Sequence, residues 1–139
     1  MKEKTFKAGA IILSSTDIKK IALLYRSKQN DWSFPKGHVD LGENSTQTMI
    51  REIREETGLT VSIIKDLPNL EYISSSGEVV STKMFIVKSE DDSKLKFEFE
   101  KDDIEWVTYD KVVGKLSYDN LKNYFSLIFP IVKSVIDSE

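Results

Sequence analysis

Within the stretch from Gly37 to Leu59, two glycines, four glutamates and one arginine fall at fixed spacings that could gather carboxylates around a metal ion. The run is Gly37, five residues, Glu43, seven residues, then Arg51-Glu52-Ile53-Arg54-Glu55-Glu56-Thr57-Gly58-Leu59. On a helix, Glu52, Glu55 and Glu56 fall at i, i+3 and i+4, and so share one narrow edge. Three carboxylates crowded there repel one another, and must take up protons, be screened by cations or bind a metal. A Glu-rich helix can also be merely solvated, with Arg51 and Glu55 as an ordinary i,i+4 pair. Gly37, Glu43, Gly58 and Leu59 at fixed offsets are not needed for that, and they favour the metal. The donors are all oxygens, which suits Mg²⁺ or Mn²⁺. With no cysteine and His38 as the only histidine, the chain lacks the makings of a zinc site.

The residues just upstream, Trp32-Ser33-Phe34-Pro35-Lys36-Gly37-His38-Val39, add groups suited to a phosphate ligand. Pro35 biases Phe34 towards extended geometry, and Gly37 permits close backbone approach to a ligand or metal. Lys36 sets a cation beside the carboxylates. Trp32 and Phe34 suit either a pocket wall or the core, and His38 is a further candidate substrate contact. More distant candidates are Arg26 after the second strand, Lys83 on an alternating strand, and Tyr72 and Tyr118, whose rings could stack on a base. Each also has a plain packing or surface reading.

From Gly37 to Leu59 the chain resembles the Nudix hydrolase box at every defined position. At average residue usage a random chain of this length would match about once in 10⁸. The resemblance implies Mg²⁺-dependent cleavage of a diphosphate linkage. Glu52, Glu55 and Glu56 would hold metal with help from the Gly37 carbonyl, and Arg51 would orient the glutamates. It also points to Glu100, six residues before Trp106, as an additional metal-binding carboxylate. The Trp-x-Phe-Pro-Lys-Gly stretch is similar to the diadenosine tetraphosphate hydrolase branch, which cuts its substrate asymmetrically to ATP and AMP. Diphosphoinositol polyphosphate and RNA-end pyrophosphohydrolases carry related stretches, and oxidised nucleoside triphosphates are another Nudix substrate class. A non-catalytic Nudix-like binding module would be expected to have lost box carboxylates, and none is lost here.

These residues need a rigid frame. Met49, Ile50 and Ile53 form an apolar stripe beside the glutamate edge and would dock the helix on a core. Asn44 or Ser45 is placed to cap it, with Asn44 and Gln47 at capping-box spacing, and Gly58 fits a left-handed C-terminal cap. Strands are predicted over Phe6–Leu13, Ile21–Tyr25, Val61–Ile64, Leu70–Ile73, Val79–Val87 and Ile104–Thr108. Turns run through Ser14–Asp17 and Ser75–Glu78. Leu95–Phe99 alternates apolar and charged residues. Apolar spacing predicts a helix over Leu121–Ile136, interrupted or kinked at Pro130. The elements and the resemblance agree on an α/β class, an α/β/α sandwich with a mixed sheet, in one domain over residues 1–139.

Composition bounds the partners. The chain is 40% hydrophobic and 31% charged, enough for a real core. A net charge of −3 offers no long-range attraction to nucleic acid or anionic membrane. The expectation is a cytoplasmic protein acting on a nucleotide or dinucleoside polyphosphate.

Overall fold

The structure is a computed structural model and describes residues 4–96 and 102–139. Its centre is a strand pair of unusual depth: β1 (Lys4–Leu13) runs parallel to β7 (Val79–Ser89), with Ala10 opposite Phe85. Both strands are nearly all buried beyond their first residues, as expected of strands covered on both faces. Every other pairing is antiparallel. On one side of the pair, β2 (Lys20–Arg26) joins β1 and carries β3 (Asp31–Ser33) and β8 (Asp103–Thr108). Along that same edge of β1 runs β4 (Lys36–His38), while on the other side of the pair β5 (Val61–Asp66) and β6 (Leu70–Ile73) both pair with β7. The result is a mixed sheet of eight strands among the described residues.

Two helices close its faces. Helix α1 (Ser45–Thr57) buries Met49 and Ile53 against Ala8, Ala10, Ile12, Phe85 and Val87. Helix α3 (Asp119–Ser138), preceded by the short α2 (Val112–Lys115), covers the opposite face. There Phe125, Ile128 and Val132 meet Ile11, Leu23, Met84 and Ile86. The predicted α/β/α sandwich is the observed architecture.

Differences from the sequence reading are local. Helix α3 runs through Pro130 without interruption. Pro130 and Ser126, whose carbonyl the missing N–H would have met, both face solvent. Apolar residues before and after them stay packed, which offsets the lost bond. Leu95 and Lys96 belong to no strand, and the rest of the alternating run to Phe99, with Glu100, lies outside the described residues. Strand β1 starts two residues earlier than predicted, and β3 and β4 are additional strands of three residues each.

Candidate active site

Helix α1 is a well-bounded rod. Asn44 Oδ1 accepts from the Gln47 N–H at 2.8 Å, and Gln47 Oε1 accepts from the Asn44 N–H at 2.9 Å, a complete capping box. Gly58 ends the helix at φ 77°, donating its N–H to Arg54 O at 2.8 Å, and Leu59 is fully buried behind it. A fixed start, a fixed end and a buried stripe together set where the glutamate edge points.

Arg51 organises that edge. Its Nε donates to Glu43 Oε2 at 2.8 Å and its Nη2 to Glu43 Oε1 at 3.0 Å. Nη1 reaches Glu52 at 2.9 Å and Glu55 at 3.2 Å, and Nη2 also meets the His38 carbonyl at 3.3 Å. One planar fork therefore ties the loop before α1 to two of the three edge carboxylates. Hydrogen bonds from Arg51 first, then from Thr48, hold the Glu43 carboxyl down at about 2. Glu43 is thus the anchor of Arg51 and is absent from the cleft lining, a role that its eight-residue offset in sequence did not disclose.

Glu52, Glu55 and Glu56 line one wall of a cleft of about 870 Å³. Strand β4 crosses close beside that wall. A Cβ on Gly37 would lie 2.1 Å from Glu52 Cδ, so the glycine leaves room for this carboxylate. The same lining carries three cations from three different strands, Lys7, Arg26 and Lys36, together with Lys28 beyond the end of β2. Burial, then the charges of Lys7 and Arg26, pushes the Lys36 ammonium down to about 8 against the pull of Glu56 and Asp31. Burial and Arg26 likewise lower Lys7, against the pull of Glu78, Glu56 and Glu52. Phe34, Tyr72, Tyr118 and Leu121 give the cleft its apolar and aromatic surface.

The cleft does not take in Trp32, His38 or Lys83. On β3, Asp31 and Ser33 are buried and Trp32, between them, points the other way. Its ring packs on the core beneath α3, 5.2 Å from the Tyr25 ring, with Lys115 Nζ 4.3 Å above it. His38 is exposed at the end of β4. Lys83 Nζ lies 3.5 Å from Asp66 and 5.4 Å from the Phe85 ring. Phe34 is both core and cleft: it is 1% exposed, packs 5.8 Å from the Phe125 ring and still contributes to the lining.

Lys7, Asp102 and Asn120 were not singled out in the sequence, yet they line the cleft. Asn120 is notable because its Oδ1 is buried with no hydrogen-bond partner among the described residues. Only strand parity could have flagged Lys7, which shares the parity of Gly9 and Ile11.

A family model described as the NUDIX domain matches residues 4–127. The chain belongs to the Nudix hydrolase family. In the first Nudix relatives it matches, among them a mutator protein and decapping enzymes, it spans only 16% or 12% of the whole protein. It is 28% identical to an RNA pyrophosphohydrolase of Ruthia magnifica over 123 residues, 75% of this chain and 69% of that protein. It is also 28% identical to an asymmetrical bis(5′-nucleosyl)-tetraphosphatase of Caenorhabditis elegans over 90 residues, 63% of this chain and 65% of that one. The solved structure of a C. elegans Ap4A hydrolase binary complex superposes with a TM-score of 0.78 at 24% identity, covering 94% of this chain and 98% of that one. Other Nudix structures superpose comparably, with TM-scores of 0.79 and 0.77, so likeness at this level shows the Nudix fold and not the substrate.

All-oxygen donors on one helix edge, with a glycine in place of any Cβ beside Glu52, fit the divalent cations that Nudix hydrolases generally use. Among the described residues no three carboxylate or imidazole groups converge on one point. Glu52 and Glu55 are held by Arg51 at 2.9 and 3.2 Å.

Proposed function

We propose that this protein hydrolyses a dinucleoside polyphosphate, cutting diadenosine tetraphosphate asymmetrically to ATP and AMP. The observation that carries the reading is the composition of the cleft. A carboxylate wall shares the cleft with Lys7, Lys36 and Arg26, with Tyr72 and Tyr118 in the same cavity. Polyphosphate needs the cations, and nucleosides need flat apolar surface. Similarity to a tetraphosphatase over 63% of the chain supports the same substrate class.

Glu52, Glu55 and Glu56, with the Gly37 carbonyl, would hold Mg²⁺ or Mn²⁺, which when bound supplies charge neutralisation at the phosphates and lowers the pKa of water. Water adds to one phosphorus, the bridging P–O bond breaks, and the leaving oxygen departs with its electron pair on the ATP side. One of the three glutamates takes the proton. Lys36 meets the negative charge that builds on the departing phosphate, where a preplaced cation is most effective. Arg51 keeps the glutamates oriented and does not touch substrate.

A second reading, removal of pyrophosphate from an RNA 5′ end, is favoured by the match to an RNA pyrophosphohydrolase over 75% of the chain. A substrate panel with Mg²⁺ separates the two. Diadenosine tetraphosphate should be the best substrate, yielding ATP and AMP in equal amounts. Glu56→Gln should lower turnover at least about 10²-fold with the melting temperature preserved. Faster turnover of a 5′-triphosphate RNA, an inositol pyrophosphate or oxidised dGTP would overturn the substrate reading.

A further inference from the structure

A buried carboxylate, Asp31, joins two residues of the cleft lining, Arg26 and Tyr118. Asp31 opens β3 and lies directly across the hairpin from Arg26. It is 2% exposed. An acid so placed is costly unless its oxygens are satisfied. Here Oδ1 accepts from Arg26 Nε at 2.9 Å, and Oδ2 accepts from Arg26 Nη2 at 2.6 Å and from the Tyr118 hydroxyl at 2.5 Å. Burial works to raise this carboxyl, but the bonds from Arg26 and Tyr118 outweigh it and hold it below its usual range.

We propose that Asp31 is a positioning residue for substrate binding, holding Arg26 and Tyr118 as one preset wall that receives the part of the substrate away from the glutamates. Two observations separate this from a merely structural role. First, the segments concerned are already tied without the carboxylate. The Trp32 N–H donates to Ser117 Oγ at 2.8 Å, and the Ser117 N–H donates to Trp32 O at 3.2 Å. What Asp31 adds is side-chain direction. Second, both residues it directs face the cleft, and neither is rigid by itself: Arg26 is long, and Tyr118 is 45% exposed.

The bonding has a chemical consequence. The paired guanidinium offers the cleft a directed donor edge, since neither bond to Asp31 uses Nη1. Asp31 offsets part of its charge, and Lys7, Lys28 and Lys36 add theirs in drawing polyphosphate in. The Arg26–Tyr118 wall then acts on fit, through a fixed N–H donor and a fixed ring, at little entropic cost on binding. Loss of Asp31 should weaken binding and leave the chemical step, carried by the glutamates of α1, nearly untouched.

The inference rests on reading this cleft as a nucleotide polyphosphate site, and the test separates the two. Kinetics on diadenosine tetraphosphate and calorimetric titration with ATP in EDTA are run on wild type, Asp31→Asn, Tyr118→Phe, Arg26→Met/Tyr118→Phe and the triple variant. Asp31→Asn should raise KM about tenfold, leave kcat within twofold and weaken ATP binding similarly. Adding it to Arg26→Met/Tyr118→Phe should change KM no further, because the groups it directs are gone. A fall in kcat with unchanged KM, the mark of a smaller folded fraction, would overturn the inference, as would an equal KM rise in the background lacking both partners. If Asp31→Asn does not fold, Tyr118→Phe decides: a raised KM with an unchanged melting temperature supports the wall, and an unchanged KM removes it. Wild type that neither binds ATP nor hydrolyses the tetraphosphate would sink both readings, whereas wild type that does so, with Asp31→Asn its equal, sinks this one alone.

Discussion

Gly37→Ala places one methyl group against the glutamate wall, and its effect can be worked from distances. The new Cβ would stand 2.1 Å from Glu52 Cδ and 2.3 and 2.4 Å from the two carboxylate oxygens. Ordinary contact begins near 3.4 Å, so the carboxylate must retreat by about 1.3 Å. It can, because it is the free end of a flexible side chain, at a rotamer cost of about 1 kcal/mol. Part of that is offset by the smaller conformational freedom of Ala in the unfolded chain. The backbone at Gly37 does not need a left-handed φ, so nothing else resists. Displacement by 1 Å at a reacting centre costs about 10²-fold, and the Arg51 bond to Glu52 at 2.9 Å is broken or dragged along as well. We expect kcat with Mg²⁺ to fall at least about 10²-fold while the melting temperature drops by no more than about 5 °C. Adding Glu52→Gln should then cost little more, since the displaced carboxylate is the group that is lost. Gly9→Ala is the contrast: its Cβ would meet Lys36 Cβ at 2.5 Å and Pro35 O at 2.6 Å, atoms on or next to the backbone that cannot swing aside. That variant should lose several kcal/mol of stability. A Gly37→Ala enzyme with kcat within threefold of wild type would refute the reasoning, and one that fails to fold would move Gly37 from site to scaffold.

Two further outcomes follow from other parts of the molecule. Trp32→Ala should lower stability by about 2–3 kcal/mol in urea denaturation and leave KM unchanged, because the indole packs beneath α3 and outside the cleft; a raised KM at constant stability would return Trp32 to the site. Asp92 accepts from Ser14 Oγ at 2.5 Å and from the Ser15 N–H at 3.0 Å, which against the effect of burial holds its carboxyl at about 2. A depressed acid stabilises the fold above its unfolded value near 3.8 and ceases to as pH falls through 2. The unfolding free energy of Asp92→Asn from urea denaturation should therefore trail wild type by up to about 2 kcal/mol at pH 7, with the gap closing between pH 5 and pH 2; a gap independent of pH would count against the carboxylate.

How much of this was legible in the chain depended on whether partners are near in sequence. The box helix was readable to its ends, because cap, stripe and C-terminal glycine are all local signals: Asn44 with Gln47, Met49 with Ile53, Gly58 in the left-handed region. The service of Glu43 to Arg51 was not, since the two meet only once the loop before α1 has folded back. Trp32 drew notice as an aromatic beside Phe34-Pro35-Lys36, whereas its small neighbour Asp31 proved to be the residue bonded to the cleft lining. In a three-residue strand parity alone settles which of the two faces which side, and parity cannot be read before the strand itself is recognised.

The two walls of the cleft differ in the same way, and for a physical reason. A helix returns to one edge every three or four residues, so a carboxylate cluster built on it must appear as a short, dense word in the sequence. A sheet gathers its residues from separate strands: Lys7 comes from β1, Arg26 from β2 and Lys36 from β4. Each alone is an ordinary strand-end or strand cation. Burial first, and then the like charges of their neighbours, lower the Lys7 and Lys36 ammonium groups and so resist assembly. Such a cluster endures when acidic groups stand near, as Glu52 and Glu56 do for Lys7, and Glu56 and Asp31 do for Lys36. The acidic word on α1 thus implies a cationic wall somewhere near it, and a polyphosphate is the ligand whose charges would join the two.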